Sequence, residues 1–498
     1  MRYLITGATG YIGGRLAPRL IDAGTGSVRC LVRDPDKLRD APWAHRAEIV
    51  QGDLLDPESV RAACADVDVL YFLVHSLSDK DFAATDRRAA LITAQAAREA
   101  GVKRIVYLGG LHPDGVLSEH LASRTEVGEI LLRSGVPTAV LQAAVIIGSG
   151  SASFEMLRYL TERLPMMLTP RWVRNRIQPI AVRDVMRYLI GASTLPTEVN
   201  RTFDIGGPEV LTYLDMMQRY AAVARLPRRR IVPVPVLTPR LSAHWVNIVT
   251  PVPKGIATPL IESLVHEVVC SEQDILEYVA DPPEGRIGYN RAVELALAKI
   301  SGSDVETRWS GATVADMPSD PLPSDPQWSG GSVYLDERDQ HSTASADELW
   351  SVVKGIGGER GWYSFPLAWA VRGWMDRLAG GVGLRRGRRD PDQLHTGDAL
   401  DWWRVEQLRE DPDDRLLRLR AEMKVPGRAW LEMKVTPDGA GSRYGQRAVF
   451  IPHGLAGHLY WWSVAPFHGI VFGGMVRNIT RTAERHGRRA GGTPADAA

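Results

Sequence analysis

The fold of the first part of this chain is decided by Thr6-Gly7-Ala8-Thr9-Gly10-Tyr11-Ile12-Gly13. A short apolar run, Tyr3–Thr6, precedes this stretch, and a segment with helical spacing, Gly13–Ala23, follows it. Glycines three residues apart between a strand and a helix allow backbone N–H groups to approach a pyrophosphate, and the helix dipole strengthens the attraction. A tight turn packed for its own sake is the alternative. We predict that the phosphates of a dinucleotide are bound by Gly7, Thr9, Gly10, Tyr11, Ile12 and Gly13.

The pattern of short apolar runs and helical stretches continues outward from this turn. Strands are predicted over Tyr3–Thr6, Val28–Val32, Glu48–Val50, Val67–Val74, Arg104–Leu108 and Thr138–Leu141. Helices are predicted over Gly13–Ala23, Pro57–Cys64, Asp86–Ala100 and Ser123–Arg133. Strands that alternate with helices of about 10–15 residues indicate βαβ units and a parallel sheet buried on both faces. The predicted fold class is therefore α/β, with a doubly wound parallel sheet.

The composition excludes several classes of protein. The chain has 498 residues, with 60 Lys and Arg against 59 Asp and Glu, so its formal net charge is +1. This balance argues against a nucleic-acid partner, because phosphate neutralisation needs a surplus of cations. Cys30, Cys64 and Cys270 are too few for a disulfide framework, and we expect no metal site. Met1-Arg2 leads directly into the first strand without the apolar region of a signal peptide, so we expect a cytoplasmic protein.

Tryptophan is unevenly distributed along the chain. Of 14 tryptophans, 11 fall between Trp309 and Trp462. In the same part of the sequence, Leu417–Val425, Leu431–Val435 and Tyr444–Ile451 alternate apolar with polar residues and are separated by turn residues. This pattern is typical of an antiparallel meander. We therefore predict a second, β-rich domain with flanking helices.

The domain boundaries follow from composition. Residues 1–300 are predicted to form the first domain, in which about 148–300 make a smaller, proline-rich substrate lobe. Ser, Asp, Pro and Gly dominate the next stretch, so we predict a semi-extended linker over 301–328. The second domain is predicted over 329–487, and a disordered tail over 488–498.

Two positions bear on which nucleotide is bound. Arg33 lies twenty residues past Gly13, at the end of the second predicted strand. An acid there would hold a ribose 2′-OH, whereas an arginine suits a 2′-phosphate, so Arg33, with Arg15 as a second candidate, favours NADP(H) over NAD(H). An exposed strand-end charge is the alternative for Arg33. Asp53, followed by Leu54, ends the third strand, where its side chain would either reach the adenine edge or cap the next helix.

These residues resemble the short-chain dehydrogenase/reductase superfamily, in its atypical and extended branches. The resemblance covers about residues 1–300 and rests on the glycine turn, Gly52-Asp53-Leu54, Pro179–Val185 and Gly206–Thr212. The last two stretches are similar to substrate-lobe signatures of NmrA-like proteins and of the accessory NADPH-binding subunit of respiratory complex I. The resemblance implies a Rossmann fold with a small substrate lobe that binds NAD(P)H, and it is much less specific for a reaction.

The usual catalytic residues of that superfamily are replaced in this chain. Its members place a Ser after the fifth strand and a Tyr and a Lys four residues apart on the next helix. Here the fifth strand runs into Gly109-Gly110-Leu111, and the matching helix carries His120 in the tyrosine position and Arg124 in the lysine position. His120 would then be the general acid, and Arg124 would bind ribose hydroxyls. A site that binds NADPH without turning it over, and a pair of solvated helix residues, are the alternatives.

Two further histidines follow predicted strands. His75, next to Ser76, follows the fourth strand, and His112 follows the fifth. Because the carboxyl ends of neighbouring parallel strands meet at one edge of a sheet, both are expected to lie near the nicotinamide site. We include His75 among the cofactor-binding residues.

The second domain is similar to the helix-grip fold of the START and polyketide-cyclase superfamily, and most closely to a domain of unknown function found fused behind such reductases. The order of a strand, short helices, a meander and a long last helix carries this resemblance, and Ser345 before Glu348 is typical of a helix start. The resemblance implies an α+β domain whose apolar cavity holds a lipid, sterol or polyketide. Ordinary aromatic core is the alternative for each tryptophan. The candidates to line the cavity are Trp362, Trp369, Trp374, Trp402, Trp403, Trp430, Trp461 and Trp462.

Three other features of the second domain bear on its possible contacts: an uncharged stretch, an arginine cluster and a group of histidines. Ala448–Val476 is 29 residues without a formal charge, which admits a membrane span, an interfacial helix or, as we favour, a buried strand followed by a C-terminal helix. Arg385–Arg389 is either a solvated loop or a contact for anionic lipid or phosphate. The histidines at 453, 458 and 468 have no carboxylate or thiol nearby in sequence, which argues against a metal site.

Together these features predict an NADPH-dependent oxidoreductase that acts on a hydrophobic carbonyl, quinone or isoprenoid-like compound. The second domain would present or shield that compound, and peripheral contact with a membrane is a further expectation. The alternative is a non-catalytic NADPH-binding sensor or assembly protein coupled to lipid binding. The oligomeric state is left open by the sequence.

Overall fold

The computed structural model describes residues 1–39, 41–75, 81–113, 117–234, 249–250, 252–297, 332–358, 361–364, 394–423 and 425–490. The chain divides into two compact units, Met1–Gly331 and Ser332–Ala498. Several features weighed above lie outside the described residues: Ser76, the linker 301–328, Trp369, Trp374, Arg385–Arg389 and residues 491–498.

The first unit is built on a seven-stranded parallel sheet. Its strands are β1 (Arg2–Thr6), β2 (Ser27–Val32), β3 (Glu48–Gln51), β4 (Val69–Phe72), β5 (Arg104–Gly110), β6 (Thr138–Ala143) and β11 (Arg201–Ile205). They lie in the order β11-β6-β5-β4-β1-β2-β3. The order reverses beside β1, so the crevice above the carboxyl ends of β1 and β4 is the expected ligand position in such a sheet. The prediction of a doubly wound parallel α/β fold is confirmed.

Helices cover both faces of this sheet. They are α1 (Gly13–Asp22), α2 (Pro57–Cys64), α3 (Phe82–Glu99), α4 (Glu119–Leu132) and α6 (Val182–Ala192). Leu16 and Leu20 of α1 pack with Val185 and Leu189 of α6 in one apolar cluster, whereas α2, α3 and α4 contribute to a second cluster. The central strands β1, β4, β5 and β6 are buried on both sides, which explains their continuous apolar runs in the sequence.

The lobe of the first unit contributes short strands, a helical stretch at 289–297 and three further helices. These helices are α5 (Ala152–Arg163), α7 (Tyr213–Val223) and α8 (Lys254–Ser263). The strands are β7 (Ile146–Ile147), β8 (Met166–Pro170), β9 (Arg176–Ile177), β10 (Ile180–Ala181), β12 (Leu211–Thr212) and β13 (Arg230–Val234). Short 3₁₀ turns lie at Pro35–Leu38, Ala44–Arg46, Arg171–Arg174 and Asp274–Glu277. A buried ion pair lies within α5, between Arg158 and Glu155, with 2.5 Å between Nη2 and Oε2.

In the part that the structure describes, the second unit is an antiparallel sheet with two helices. Its strands lie in the order β14-β19-β18-β17-β16-β15. Their bounds are β14 (Tyr334–Ser342), β15 (Ala399–Leu400), β16 (Trp403–Asp411), β17 (Asp414–Ala421), β18 (Gly427–Asp438) and β19 (Gly441–Pro452). The helices are α9 (Ala346–Lys354) and α10 (Gly454–Ala490). Ser345 and Glu348 form the predicted capping box at the start of α9. The helix α10 includes residues 488–490, so the tail begins later than predicted.

One face of this sheet and one side of α10 form the core of the second unit. Leu417, Leu419, Leu431 and Met433 are fully buried there, together with Met475, Ile479 and Ala483 of α10. Alternation along the strands places every second side chain on this face. The stretch Ala448–Val476 is thus the end of a strand and most of a helix, as favoured from the sequence. No helix among the described residues is long and apolar enough to span a bilayer.

The tryptophans of the second unit lie in different environments. Trp362, Trp402 and Trp403 belong to the apolar core, and the Trp362 indole N–H donates to Asp401 over 2.7 Å. Trp430 lies on the other side of its strand from Leu431, as alternation requires. Trp462 is 66% exposed. The expectation that Trp462 lines an interior cavity is therefore wrong.

Candidate functional site

The glycine turn between β1 and α1 has the geometry of a phosphate cradle. Gly7 has φ +82°, and a Cβ there would lie 2.7 Å from the carbonyl oxygen of Leu73. A Cβ on Gly13 would lie 2.3 Å from the carbonyl oxygen of Gly7, so α1 approaches the turn as closely as backbone allows. The backbone around Gly7 and Gly10 is thereby left open to a ligand, while Gly13 serves helix packing.

A cavity of about 630 Å³ opens above this turn. It contains both the glycine turn and the substituted catalytic pair, so the fold brings together residues that are far apart in sequence. Nine of the ten residues predicted to bind the cofactor line it, and Gly13 does not. The predicted site residues in its wall are Gly7, Thr9, Gly10, Tyr11, Ile12, Arg33, Asp53, Leu54, His75, His120 and Arg124.

One end of the cavity suits the adenosine half of a dinucleotide. Arg33 is exposed at the carboxyl end of β2 and lines the cavity, where its charge is available to a phosphate. Asp53 also lines it, and its Oδ1 accepts a hydrogen bond of 2.9 Å from the backbone N–H of Leu55. The alternative role for Asp53, capping the next helix, is filled by Asp56. The carboxylate of Asp56 accepts hydrogen bonds from the backbone N–H groups of Glu58 and Ser59.

Arg15 does not share the position of Arg33. Its guanidinium lies 4.0 Å from the centroid of the Tyr11 ring and donates to the backbone oxygens of Tyr11 and Ser149. Arg15 is 2% exposed and is absent from the cavity wall. Sequence spacing placed this arginine near the turn, but its rotamer points to the lobe, so the suggestion that it assists Arg33 is wrong.

The helix α4 places the two substituted residues on one side. Ser118 caps the helix, accepting from the N–H of Leu121, and His120 and Arg124 follow one turn apart. Arg124 donates from Nη2 to the backbone oxygen of Leu108, which turns the guanidinium toward the end of β5. Its Nε is buried and has no protein partner. The guanidinium can therefore donate to a ligand oxygen in the cavity.

A chain of hydrogen bonds runs from Asp86 to His120. Nδ1 of His75 lies 2.9 Å from Oδ2 of Asp86, and Nε2 of His75 lies 3.2 Å from Nδ1 of His120. The three residues come from α3, from the end of β4 and from α4. All three side chains are largely buried. The histidine that the sequence identified as a lining residue thus connects the candidate catalytic histidine to a carboxylate.

Burial makes both histidines neutral near pH 7. Desolvation lowers the pKa of His120 to about 2, with further lowering by Arg124 and His75. Desolvation also lowers the pKa of His75, against the opposing effect of Asp86. The neutral form of His120 is favoured because an imidazolium would have to be buried beside the guanidinium of Arg124.

The chain then determines where each proton lies. A carboxylate oxygen accepts, so Nδ1 of His75 carries the proton that is donated to Asp86. Nε2 of a neutral His75 must accept, so Nδ1 of His120 donates to it. Nε2 of His120 is left as the acceptor that a ligand in the cavity can reach. His120 is consequently set up as a proton acceptor in its resting state.

We expect acid to destabilise the first unit through these two histidines. Unfolded histidine has a pKa of 6.5, whereas folded His120 stays neutral down to about pH 2, so below about pH 6.5 the unfolded state binds more protons. Stability then falls by up to about 1.4 kcal/mol per pH unit for each histidine. Tm measured between about pH 7 and pH 5 should fall less in His120→Gln than in wild type. Equal falls in both proteins would contradict the assigned protonation.

The other end of the cavity is apolar. Leu111, Met156, Ile256, Leu260 and Val268 line it, from the end of β5, from α5, from α8 and from the segment after α8. Ser263 is among the few polar residues there, and its hydroxyl already donates to the backbone oxygen of Pro259. A wall of this kind favours an apolar ligand beside the histidine and arginine.

Sequence reasoning missed Asp86 and the contribution of α5 and α8 to the wall. A signal for Asp86 was present, because Asp86, Ala90, Thr93 and Ala97 recur at helical spacing on the buried side of α3. A carboxylate on such a face needs a buried partner. His112, by contrast, was expected near the nicotinamide, but it contacts Gln142 and the oxygen of Pro113 and is absent from the wall.

Comparison with known proteins agrees with the interpretation of the glycine turn as a nucleotide-binding element. Residues 7–146 match the family described as NAD(P)H-binding, and residues 328–475 match a family described as a protein of unknown function, DUF2867. The match covers the glycine turn and β2–β6 of the parallel sheet, so this part of the first unit is an NAD(P)H-binding Rossmann-like unit. The second family is described without a function, and the match carries no START or polyketide-cyclase assignment.

Two curated relatives are similar to the first unit. The chain is 28% identical over 236 residues to (4-alkanoyl-5-oxo-2,5-dihydrofuran-3-yl)methyl phosphate reductase of Streptomyces griseus subsp. griseus, covering 45% of this chain and 75% of the relative. It is 26% identical over 238 residues to the NAD(P)H azoreductase of Xenophilus azovorans, covering 46% and 76%. Among solved structures, the triphenylmethane reductase of Citrobacter sp. is 20% identical with a TM-score of 0.49, covering 60% of this chain and 100% of that chain.

Proposed function

We propose that the first unit transfers a hydride between NADP(H) and a hydrophobic carbonyl, quinone or isoprenoid-like compound, interconverting the oxidised and hydroxyl forms. One observation carries this proposal: a single cavity holds the glycine cradle, Arg33, the His120–Arg124 pair and an apolar end. Both curated relatives are named as reductases, which supports redox chemistry.

Each residue has a distinct role in this proposal. NADP(H), when bound, supplies or accepts the hydride. Gly7 and Gly10 leave room for the pyrophosphate, and Arg33 pairs with the 2′-phosphate, which favours NADP(H) over NAD(H). The guanidinium of Arg124 stabilises negative charge on the substrate oxygen.

His120 handles the proton in the same proposal. In the oxidising direction, its Nε2 takes the proton of the substrate hydroxyl while Nδ1 passes its own toward His75 and Asp86. The reducing direction returns the proton by the same route. The chain ending on Asp86 therefore lets a histidine of very low basicity take part without a lasting buried charge.

The second unit is proposed to be a helix-grip fold that binds or shields the same apolar compound. The long helix α10 packs on the antiparallel sheet, and it follows β14, α9 and the remaining strands in the chain, which is the order expected of that fold. The apolar character of the cavity in the first unit supports an apolar ligand for the whole protein.

Consumption of NADPH tests the proposal directly. The full-length protein is mixed with NADPH and a hydrophobic quinone or long-chain aldehyde, and loss of reduced nicotinamide is followed by absorbance. Turnover should be faster with the long apolar substrates than with short polar analogues of the same reacting group, because the wall beside His120 is apolar. Tight NADPH binding without consumption for any acceptor would contradict hydride transfer and favour the non-catalytic sensor.

A further inference from the structure

The helix α10 is apolar on two opposite sides, and the core of the second unit covers one of them. Phe472, Met475, Ile479 and Ala483 are buried against the sheet. The opposite side carries what we call the exposed apolar stripe. Its members are Leu455 (38% exposed), Leu459 (62%), Trp462 (66%), Phe467 (62%) and Ile470 (65%).

The stripe is contiguous and uncharged. With about 3.6 residues per turn, its five members lie on one side of four turns of helix. No Asp, Glu, Lys or Arg occurs from Gly454 to Val476. Isolated exposed apolar residues are ordinary, whereas a contiguous set of large ones marks an interaction surface.

A row of arginines continues the same side of α10 beyond the stripe. Arg477, Arg481, Arg485 and Arg488 are exposed and follow at spacings of four, four and three residues. The helical period places them in line with the stripe and away from Met475 and Ile479. Glu484, the carboxylate within this stretch, accepts from Ser342 and Thr343, so it is directed to the sheet.

We propose that this side of α10 docks on an anionic lipid bilayer, with the stripe entering the boundary between headgroups and acyl chains and the arginine row contacting lipid phosphates. Tryptophan beside aliphatic and phenylalanine side chains, followed by a cationic segment, is the side-chain chemistry of an interfacial helix. A bilayer provides apolar and anionic contacts side by side.

A second copy of this chain fits the same surface less well. Stripe packed on stripe would cover the apolar residues, but an exposed carboxylate to meet the partner's arginine row is absent from this side of α10 among its described residues. The charge complementarity therefore favours phosphate-bearing lipid over self-association.

Vesicle flotation tests the proposal with the full-length protein. Vesicles of phosphatidylcholine containing phosphatidylglycerol should carry the protein upward, and raising the salt concentration should weaken binding because the arginine contribution is screened. Trp462→Ser combined with Phe467→Ser should lower the bound-to-free ratio by more than about tenfold, since two large apolar side chains are lost from the interface. Arg477→Gln combined with Arg481→Gln should reduce binding to anionic vesicles and weaken its salt dependence, since Arg485 and Arg488 remain.

Leu168→Ser is the matched control, because Leu168 is 60% exposed on β8 of the first unit and lies outside the stripe. It should float like wild type, and all variants should keep the wild-type Tm, because the replaced side chains are exposed. Equal flotation of wild type and Trp462→Ser/Phe467→Ser would overturn the proposal. Failure to float, with a stripe-dependent dimer in light scattering, would overturn it in favour of an interface between two copies.

Discussion

His120→Ala is expected to lower kcat by about 10²- to 10⁴-fold, the usual contribution of a positioned proton-transfer group. The reason lies in the chain Asp86–His75–His120, which in the proposed mechanism carries the proton to and from Nε2 of His120, so that substrate reduction draws its proton through this residue. The measurement is steady-state NADPH oxidation with the best hydrophobic acceptor from the substrate comparison. KM for that acceptor should change less than kcat, since the proton moves in the transition state.

Three further variants separate an effect on chemistry from an effect on structure. His120→Gln keeps a side chain that accepts a hydrogen bond but cannot take the proton, so its kcat should fall almost as far. His112→Ala is the matched control, because it also removes a histidine, one that follows β5 and is absent from the cavity wall. Asp86→Asn should also lower kcat, because an amide no longer imposes one tautomer on His75. A wild-type kcat in His120→Ala would contradict the role of this residue, although the protein could still be a reductase.

Arg33→Asp is expected to weaken NADPH binding by about a hundredfold or more while leaving NADH binding unchanged or tighter. A charge-assisted hydrogen bond is worth about 1.5–3 kcal/mol, and the new carboxylate would repel the 2′-phosphate while suiting a ribose 2′-OH. The measurement is a titration of the protein's fluorescence with each nucleotide.

The control for this effect is Arg98→Asp, which makes the same change in charge on an exposed arginine outside the cavity wall. Its affinity for both nucleotides should stay at the wild-type value. If Arg33→Asp weakens the binding of NADPH and of NADH equally, Arg33 stabilises the nucleotide site as a whole and does not recognise the 2′-phosphate.

Much of the first unit was predictable because its patterns are local. The predicted helix Pro57–Cys64 has the observed bounds, and Asp56 supplies its cap. The predicted strand Val67–Val74 is shorter in the structure, Val69–Phe72, because apolar residues continue past the paired segment. Helix α4 begins at Glu119 and not at the predicted Ser123, and Ser118 caps it. Its first turn lacks a strong apolar periodicity, so the sequence pattern did not indicate the earlier start.

The candidate site was only partly predictable. The sequence placed His120 and Arg124 on one helix and His75 at a strand end, and all three line one cavity. It did not reveal that His75 bridges His120 and Asp86, because that contact joins residues 45 and 11 positions apart in sequence. Arg15 was misjudged for the same reason, since its partner Ser149 belongs to the lobe.

The parallel α/β fold, the glycine cradle and the second, tryptophan-rich unit could all be predicted from local pattern, because residue spacing encodes the period of each element and the turns between them. The neutral form of His120 could not be predicted in this way, because its pKa depends on burial and on Arg124 and His75 nearby. Packing likewise sets which side of α10 is exposed. That helix is apolar on both sides, so the pattern alone could not distinguish the core face from the stripe at Trp462.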